Sequence, residues 1–380
     1  MSSEKNLLVS VPKEYFKTSL QKSSNFLLGS AKVTLFLIKK NSLIRIIKIL
    51  ESGVFAPNIT RGGIKEFHLI NDAVKRANSQ AYIFFTMAFM IIGLRGVYAM
   101  VDSGEDVEEF IYGTNETYIK HIKTMPYTTW FPFNKDKQPY YAIGFTYQIA
   151  STYIYGLFIG ATDAILCGFL IHIQAQFRIL KISLVTLLER SKQGSNVKDS
   201  HEDVKTITLP AGCIKVPLLT RQVNVELKKH CRKIVQHHQE ILNLCIYIED
   251  EICYLMLMQF LSSLFIICFQ LYQLSSISPA NIGFISMSLY LSLMIYQLYN
   301  YCNNGDEVRE LSESLGREIF AIEWITFDEP VKKYLLMMIM RTHRASVFTA
   351  GKFALLSLQT FMAIVRGSGS YFMVLRQMNN

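Results

Sequence analysis

Long apolar runs separated by charged stretches restrict this chain to one kind of fold. Ala81–Val101, Ile252–Leu274 and Ile282–Tyr301 each hold enough apolar residues to cross a hydrocarbon core about 30 Å thick. Tyr140 to about Ile173 exceeds one crossing. Inside lipid a backbone finds no water to bond, so such runs become helices. Half of the residues are hydrophobic and 18% are charged, against roughly a quarter charged in soluble domains. The expected fold class is all-α, a multi-span helical membrane protein. Two further spans are less regular. Leu20–Ile38 contains Lys22 and Lys32, and Phe353–Met378 is interrupted by Arg366, Ser368, Ser370, Arg376 and Gln377. Six spans are expected in all.

Loop charge orients them. Residues 39–80 carry eight Lys/Arg against three acids and residues 178–240 carry twelve against six, whereas 102–139 carry seven acids against four lysines. Cytoplasmic loops collect Lys and Arg, which puts 39–80 and 174–251 inside and 102–139 outside. Counting onward puts 302–350 inside and Asn380 outside; counting back puts Met1 outside. The sequon at Asn115 falls outside and is a glycosylation candidate, while the one at Asn58 falls inside. Pro330, behind Asp328 and Glu329, marks a helix start, and Leu335, Met338 and Ile339 then share a face that must be buried. Three regions result: a helical bundle over 1–301 with a cytoplasmic loop at about 174–251, cytoplasmic helices over 302–350, and a last span over 351–380 with an extracellular C-terminus.

The formal charge of +9 sits in particular loops, so membrane topology explains it and nucleic acid is not an expected partner. Seven cysteines show neither a disulfide framework nor zinc spacing. No nucleophile elbow, zincin, Walker or dinucleotide motif occurs, so neither an enzyme nor a cofactor is expected. His230, His237 and His238 lie on an amphipathic helix and are expected to be solvated, with no metal. Asp163, inside a span with His172, forms a proton relay or, more simply, a structural polar contact near the inner rim.

Two groups of residues bear on function. Tyr140, Tyr141, Phe145, Tyr147, Gln148, Thr152 and Tyr153 crowd the outer half of one span. Gly96, Val97 and Met100 lie at matching depth on another, and Phe284, Met287 and Ser288 on a third. Such a mix suits a pocket for a small, mostly apolar ligand with one or two hydrogen bonds, with ordinary interhelical packing as the competing account. On the last span, Val374 and Met378 share a face, with Ser370 and Arg366 one and two turns below. A charge facing lipid is costly, so these residues either line a pathway or snorkel at the rim.

Three stretches resemble the insect odorant receptor family. They are WFPFNKDKQPYYAIGFTYQIASTYIYGLFIGATDAILCGFLIHIQAQFRIL, KKHCRKIVQHHQEILNLCIYIEDEICYLMLMQFLSSLFIICFQLYQL, and the run from YNYCNNGDEVRELSESLGREIFAIEWITFDEPVKKYLLMMIM to GKFALLSLQTFMAIVRGSGSYFMVLRQM. The resemblance implies an odorant-gated cation channel in the plasma membrane of sensory neurons. A ligand-tuned subunit joins a common co-receptor in a hetero-tetramer, binds a small hydrophobic volatile, and places its N-terminus inside. By the final motif, the pore constriction falls on Val374 and Met378, with Gln377 beside them. Trp324, Tyr334 and Leu335 mark the cytoplasmic anchor between subunits. Arg376 stands where the co-receptor is apolar, which favours a tuning subunit. The family has seven spans, so this chain is expected to start late, at the family's second. A contact chemoreceptor for tastants and a membrane transporter are the competing readings.

Overall fold

The computed structural model describes residues 29–377 except 59, 60, 62, 103, 111–116, 123, 128, 130, 133–137, 196–203, 210, 211, 218, 280 and 323. Asn115 and Met378 lie outside the described residues, as do Ile59 and Thr60 of the second sequon and the first half of the Leu20–Ile38 run.

Helices α1 (Gly29–Ile38) and α2 (Lys40–Glu51) lead through a single 3-10 turn, Gly53–Phe55, into α3 (Ile64–Val101). A two-stranded hairpin follows, β1 (Glu105–Phe110) with β2 (Thr117–Ile122), and then α4 (Tyr140–Val185) and the short α5 (Leu187–Gly194). A second hairpin, β3 (Val204–Leu209) with β4 (Gly212–Pro217), precedes α6 (Arg221–Ser275) and α7 (Ile282–Ala321). The chain ends with a 3-10 turn at Trp324–Thr326, α8 (Glu329–Thr342), the minimal hairpin β5 (Thr349–Ala350) with β6 (Ala354–Leu355), and α9 (Leu358–Gln377). The end of the bundle that carries residues 102–139 is the one that loop charge places outside, and it is called the outer end.

Among the described residues four helices, α3, α4, α6 and α7, are long and apolar enough to cross a membrane, and of the six expected spans α1 and α9 are not among them. Each of the four also outruns the membrane. The 55 residues of α6 extend about 80 Å at 1.5 Å per residue, and they include neither glycine nor proline, so nothing in the run breaks the helix. Its second half, Ile252–Leu274, is the apolar one, and its first half continues beyond the inner rim. The expected loop at 174–251 is therefore largely helix, made of the end of α4, α5 and half of α6. Residues 301 and 302 fall inside the unbroken α7, so the helical bundle and the anchor region share continuous helices.

Packing is helix on helix: α3, α4 and α7 form one set, and α7 and α6 carry α9 on their flank. Pro330 stands in the first turn of α8, and Val331, Leu335 and Met338 form its buried face. The core runs without interruption from Phe84 and Leu166 in the bundle to Ile319 and Leu335 in the anchor.

Three polar layers, buried or partly buried, lie beside it. In the first, Lys32 on α1 pairs with Asp163 on α4 and donates to Gln259 Oε1 on α6 at 2.9 Å and to Tyr301 Oη on α7 at 3.5 Å. Tyr301 O–H donates to Asp163 Oδ1 at 2.6 Å, Gln297 donates to the other carboxylate oxygen, and Gln259 Nε2 donates to Gln297 and Ser263. Lys32 and Asp163 are both buried. A cavity of about 20 Å³ opens beside them, lined by Gln80, Asp163, Gln297, Asn300 and Tyr301 among others, with room for one water. Asp163 thus makes the expected structural contact, with Lys32 as its partner.

One layer further in, Glu307 on α7 takes a bidentate bond from Arg76 on α3, at 3.0 and 2.6 Å, and a third contact from Arg178 on α4. Gln174 Nε2 donates to the carbonyl of Asn304, whose amide donates to Gln80. In the third layer, Arg61 donates to both oxygens of the fully buried Glu66 and to the carbonyl of Ala56, pinning the turn before α3.

Here the histidines depart from expectation. His237 and His238 are buried, because that face of α6 packs against neighbouring elements instead of water. His237 Nε2 donates to Gln176 Oε1 at 3.1 Å, Gln176 donates to Phe55 O, and the Phe55 and His237 rings meet edge to face. Burial, with Arg61 and His238 adding to it, pushes His237 down to about 3; burial and Arg341 push His238 down to about 4. Both are neutral at physiological pH. Because the unfolded chain binds these protons near 6.5, stability is complete above that pH and falls as pH drops towards the folded values, by about 1.4 kcal/mol per unit for each ring. Thermal melting of the detergent-solubilised protein at pH 7.5 and 5.5 checks this. His237→Gln with His238→Gln should lose much of the acid-induced drop, and an undiminished drop in that variant refutes the assignment.

Candidate functional site

Between the outer ends of α3, α4 and α7 the described residues of 124–131 turn back into the bundle. Gln148 anchors it: its side-chain carbonyl accepts from Tyr127 N–H at 3.1 Å, and its amide donates to Tyr127 O at 2.8 Å and to Thr129 Oγ1 at 2.9 Å. Tyr141 O–H donates to Thr124 O, Arg95 Nε to Pro126 O, and Thr124 O–H to Asp102. Met125 and Phe131 lie on the bare face of Gly144, where a Cβ would come within 3.2 Å of Met125. Tyr127 shares a side-chain hydrogen bond with Thr152 and lies within electrostatic reach of the partly buried Tyr290.

Period decides which outer residues face this interior. Gln148, Thr152 and Tyr155 recur at helical spacing on the inward face of α4, and the Tyr155 hydroxyl lodges where only a glycine, Gly29, leaves space. Tyr147 belongs to the opposite face, at 62% exposed, and meets Phe131 only edge to face. Val97 and Met100 also point away, Met100 at 70% exposed. Gly96 is buried, with Phe145 and Ile149 closing over it, and Phe145 lies beside Tyr141. Phe284, Met287 and Ser288 are half-buried on α7, where Met287 O accepts from Gln270. The structure brings together Gly96, Tyr141, Phe145, Gln148 and Thr152; Val97, Met100 and Tyr147 stay outside that group. Tyr127, Tyr155 and Tyr290 join it. Tyr127 lies in a loop whose sequence has no period, whereas Tyr155 shows in the spacing from Gln148.

Both amide protons of Gln148 are committed to Tyr127 and Thr129, so a ligand finds there only the second lone pair of its carbonyl. Gln148→Leu should release the 124–131 segment. A cysteine introduced at Thr129 should then react faster with a membrane-impermeant thiol reagent, and an unchanged rate refutes the anchoring.

The second group lies on α9. Its inner face packs on α6 and α7: Ser368 is fully buried and donates to Leu264 O at 3.1 Å, Gly367 meets Leu264, and Phe361 meets Tyr299 edge to face at 5.8 Å. Ser357 caps the start, accepting from Thr360 N–H. On the far side, Gln359, Arg366, Ser370 and Gln377 are all exposed. At 100° per residue they fall within about 40° of one another, in the middle of the exposed face. Met362 and Met373 flank them on one side, and Ala363 and Val374 on the other. Val374 is 53% exposed.

Before α9, Lys352 sits at φ 67° and Gly351 at φ 65°, left-handed values that a lysine adopts at some cost. Lys352 is held by Glu249 and Asp250 at 2.6 Å each, and Gly351 N–H donates to Cys253 O. In the region expected to be the anchor, Leu335 is buried, Trp324 and Tyr334 are partly buried, and Leu336, Met337 and Met340 are exposed on α8.

The family profile described as 7tm Odorant receptor matches residues 14–369. Among curated proteins, the chain is 22% identical over 354 residues to the odorant receptor coreceptor of Anopheles gambiae, covering 80% of this chain and 74% of that one. It is 25% identical over 176 residues to odorant receptor 22c of Drosophila melanogaster, covering 46% and 43%, so the match spans less than half the length of that relative. Among solved structures, the olfactory receptor OR5 of Machilis hrabei in complex with eugenol superposes with a TM-score of 0.67 at 15% identity, over 94% of this chain and 80% of that one. That likeness concerns the fold.

Proposed function

The chain belongs to the 7tm odorant receptor family, and on that premise we propose that it is the ligand-tuned subunit of an odorant-gated cation channel, with α9 lining the ion path. The observation that carries the proposal is the polar stripe of α9. Gln359, Arg366, Ser370 and Gln377 turn away from their own bundle, and if α9 crosses the bilayer, lipid is a costly neighbour for them. Water in a pore satisfies them. The channel assembles at the plasma membrane of sensory neurons as a hetero-tetramer with a co-receptor, through the exposed face of α8 beside Trp324, Tyr334 and Leu335. The ligand is a small hydrophobic volatile held between α3, α4 and α7, beside Tyr127, Phe145 and Thr152. The narrow point falls at Val374 and Met378, with Gln377 beside them.

Cysteines placed singly at Gln359, Ser370, Val374 and Gln377 test the ion path in cells that also express the co-receptor. The six described native cysteines are buried, which keeps background labelling low. Charged thiol reagents should alter the odorant-evoked current at these positions; no reaction at any of them, at rest or with odorant, removes α9 from the path. Val374→Ser should raise the resting current by wetting a hydrophobic constriction, and unchanged leak in surface-expressed protein takes Val374 out of the gate.

A further inference from the structure

Arg366 is the charge at the centre of the α9 stripe. It lies eight residues from Leu358, about 12 Å along the helix, inward of Val374 by the same distance. No residue of Leu358–Gln377 is acidic, and among the described residues Arg366 has no ion-pair partner. Its neighbour Ser370 turns its hydroxyl back to the Arg366 carbonyl and leaves the guanidinium without a local acceptor. Helical side chains lean towards the N-terminus, so Arg366 leans inward over exposed Met362 and Ala363, and it is depth, about 12 Å from the start of the helix, that opposes snorkelling to the inner rim.

We infer that Arg366 sets the cation selectivity of the pore by holding a fixed positive charge in the lumen. The inference rests on the assignment of α9 to the ion path. A fixed charge repels a divalent cation twice as strongly as a monovalent one, since Coulomb energy scales with valence. Each copy of this chain therefore lowers calcium permeability relative to sodium, and more copies per channel lower it further. At about 5 Å from the axis in screened water, one charge changes that permeability ratio by about twofold.

Reversal potentials with sodium outside replaced by calcium measure the ratio in cells co-expressing the chain and the co-receptor. Arg366→Gln should raise calcium over sodium permeability by about twofold, Arg366→Glu should raise it further, and Arg366→Lys should leave it unchanged. Arg366→Cys provides a control within one folded protein: a cationic thiol reagent should return the ratio towards that of the parent, and an anionic reagent should raise it. If Arg366→Cys reacts with both reagents and the ratio never moves, the selectivity role is wrong while α9 still lines the path. If neither it nor the four cysteines named above react, the pore assignment itself falls. Loss of surface protein in Arg366→Gln and Arg366→Glu, with Arg366→Lys normal and no reagent effect on Arg366→Cys, assigns the charge to a subunit contact and overturns the inference.

Discussion

Lys32→Met should remove most of the protein from the cell surface, and Asp163→Asn should rescue it when the two are combined. Lys32 donates to groups on α4, α6 and α7 at once, so it ties the otherwise weak α1 to the bundle. Removing the ammonium leaves a buried carboxylate whose neighbours, Tyr301 and Gln297, offset only part of its charge. Breaking a buried pair from one side costs about 3–5 kcal/mol, comparable with the whole stability of many domains. Asparagine at 163 restores neutrality and keeps a carbonyl for the Tyr301 hydroxyl. Surface biotinylation and thermal midpoints in detergent measure both variants. Wild-type behaviour of Lys32→Met alone would show that the pair contributes little, and failure of the double variant would show that the charge itself is required.

That pair also marks where sequence reasoning stops. Lys32 counted as a defect in a weak span and Asp163 as an isolated acid near His172, because nothing local joins residues 131 positions apart. Each is costly alone in lipid, and only the tertiary fold brings the two together. The His237 reading failed for a related reason. An amphipathic pattern says which face is polar, but Gln176 and Phe55, which turn that face into an interior, come from other elements. At the outer pocket, Tyr147 and Gln148 are adjacent in sequence and face opposite sides of α4, which depth alone does not separate and helical angle does. The α9 stripe was legible for the same reason in reverse, since Arg366, Ser370 and Val374 recur at one-turn spacing on a single helix. Both outer hairpin strands and the inward path of Tyr127 left no periodic trace.

Gly305→Ala should disturb the resting channel more than any other glycine-to-alanine change in α7. A Cβ at Gly305 would lie 2.5 Å from Leu356 Cβ and 2.8 Å from Leu356 O. These are backbone-fixed atoms, so no rotamer relieves the clash, and Leu356→Ala keeps the offending Cβ and should not rescue. Leu356 N–H also donates to Phe348 O at 2.9 Å, which holds the segment in place two residues before α9. Retreat of α7 is opposed by Tyr301, Asn304 and Glu307, which lie within four residues of Gly305 and are each committed to a polar layer. The strain therefore passes to the base of α9. Overpacking of this kind costs about 1–3 kcal/mol, and 1.4 kcal/mol shifts a two-state equilibrium about tenfold. A displaced resting current or odorant sensitivity is expected, read in the same cells against Gly168→Ala, whose added Cβ meets nothing within 4 Å. Identical dose–response curves and thermal midpoints for the two variants would mean that the contact between α7 and the α9 base does not bear on gating.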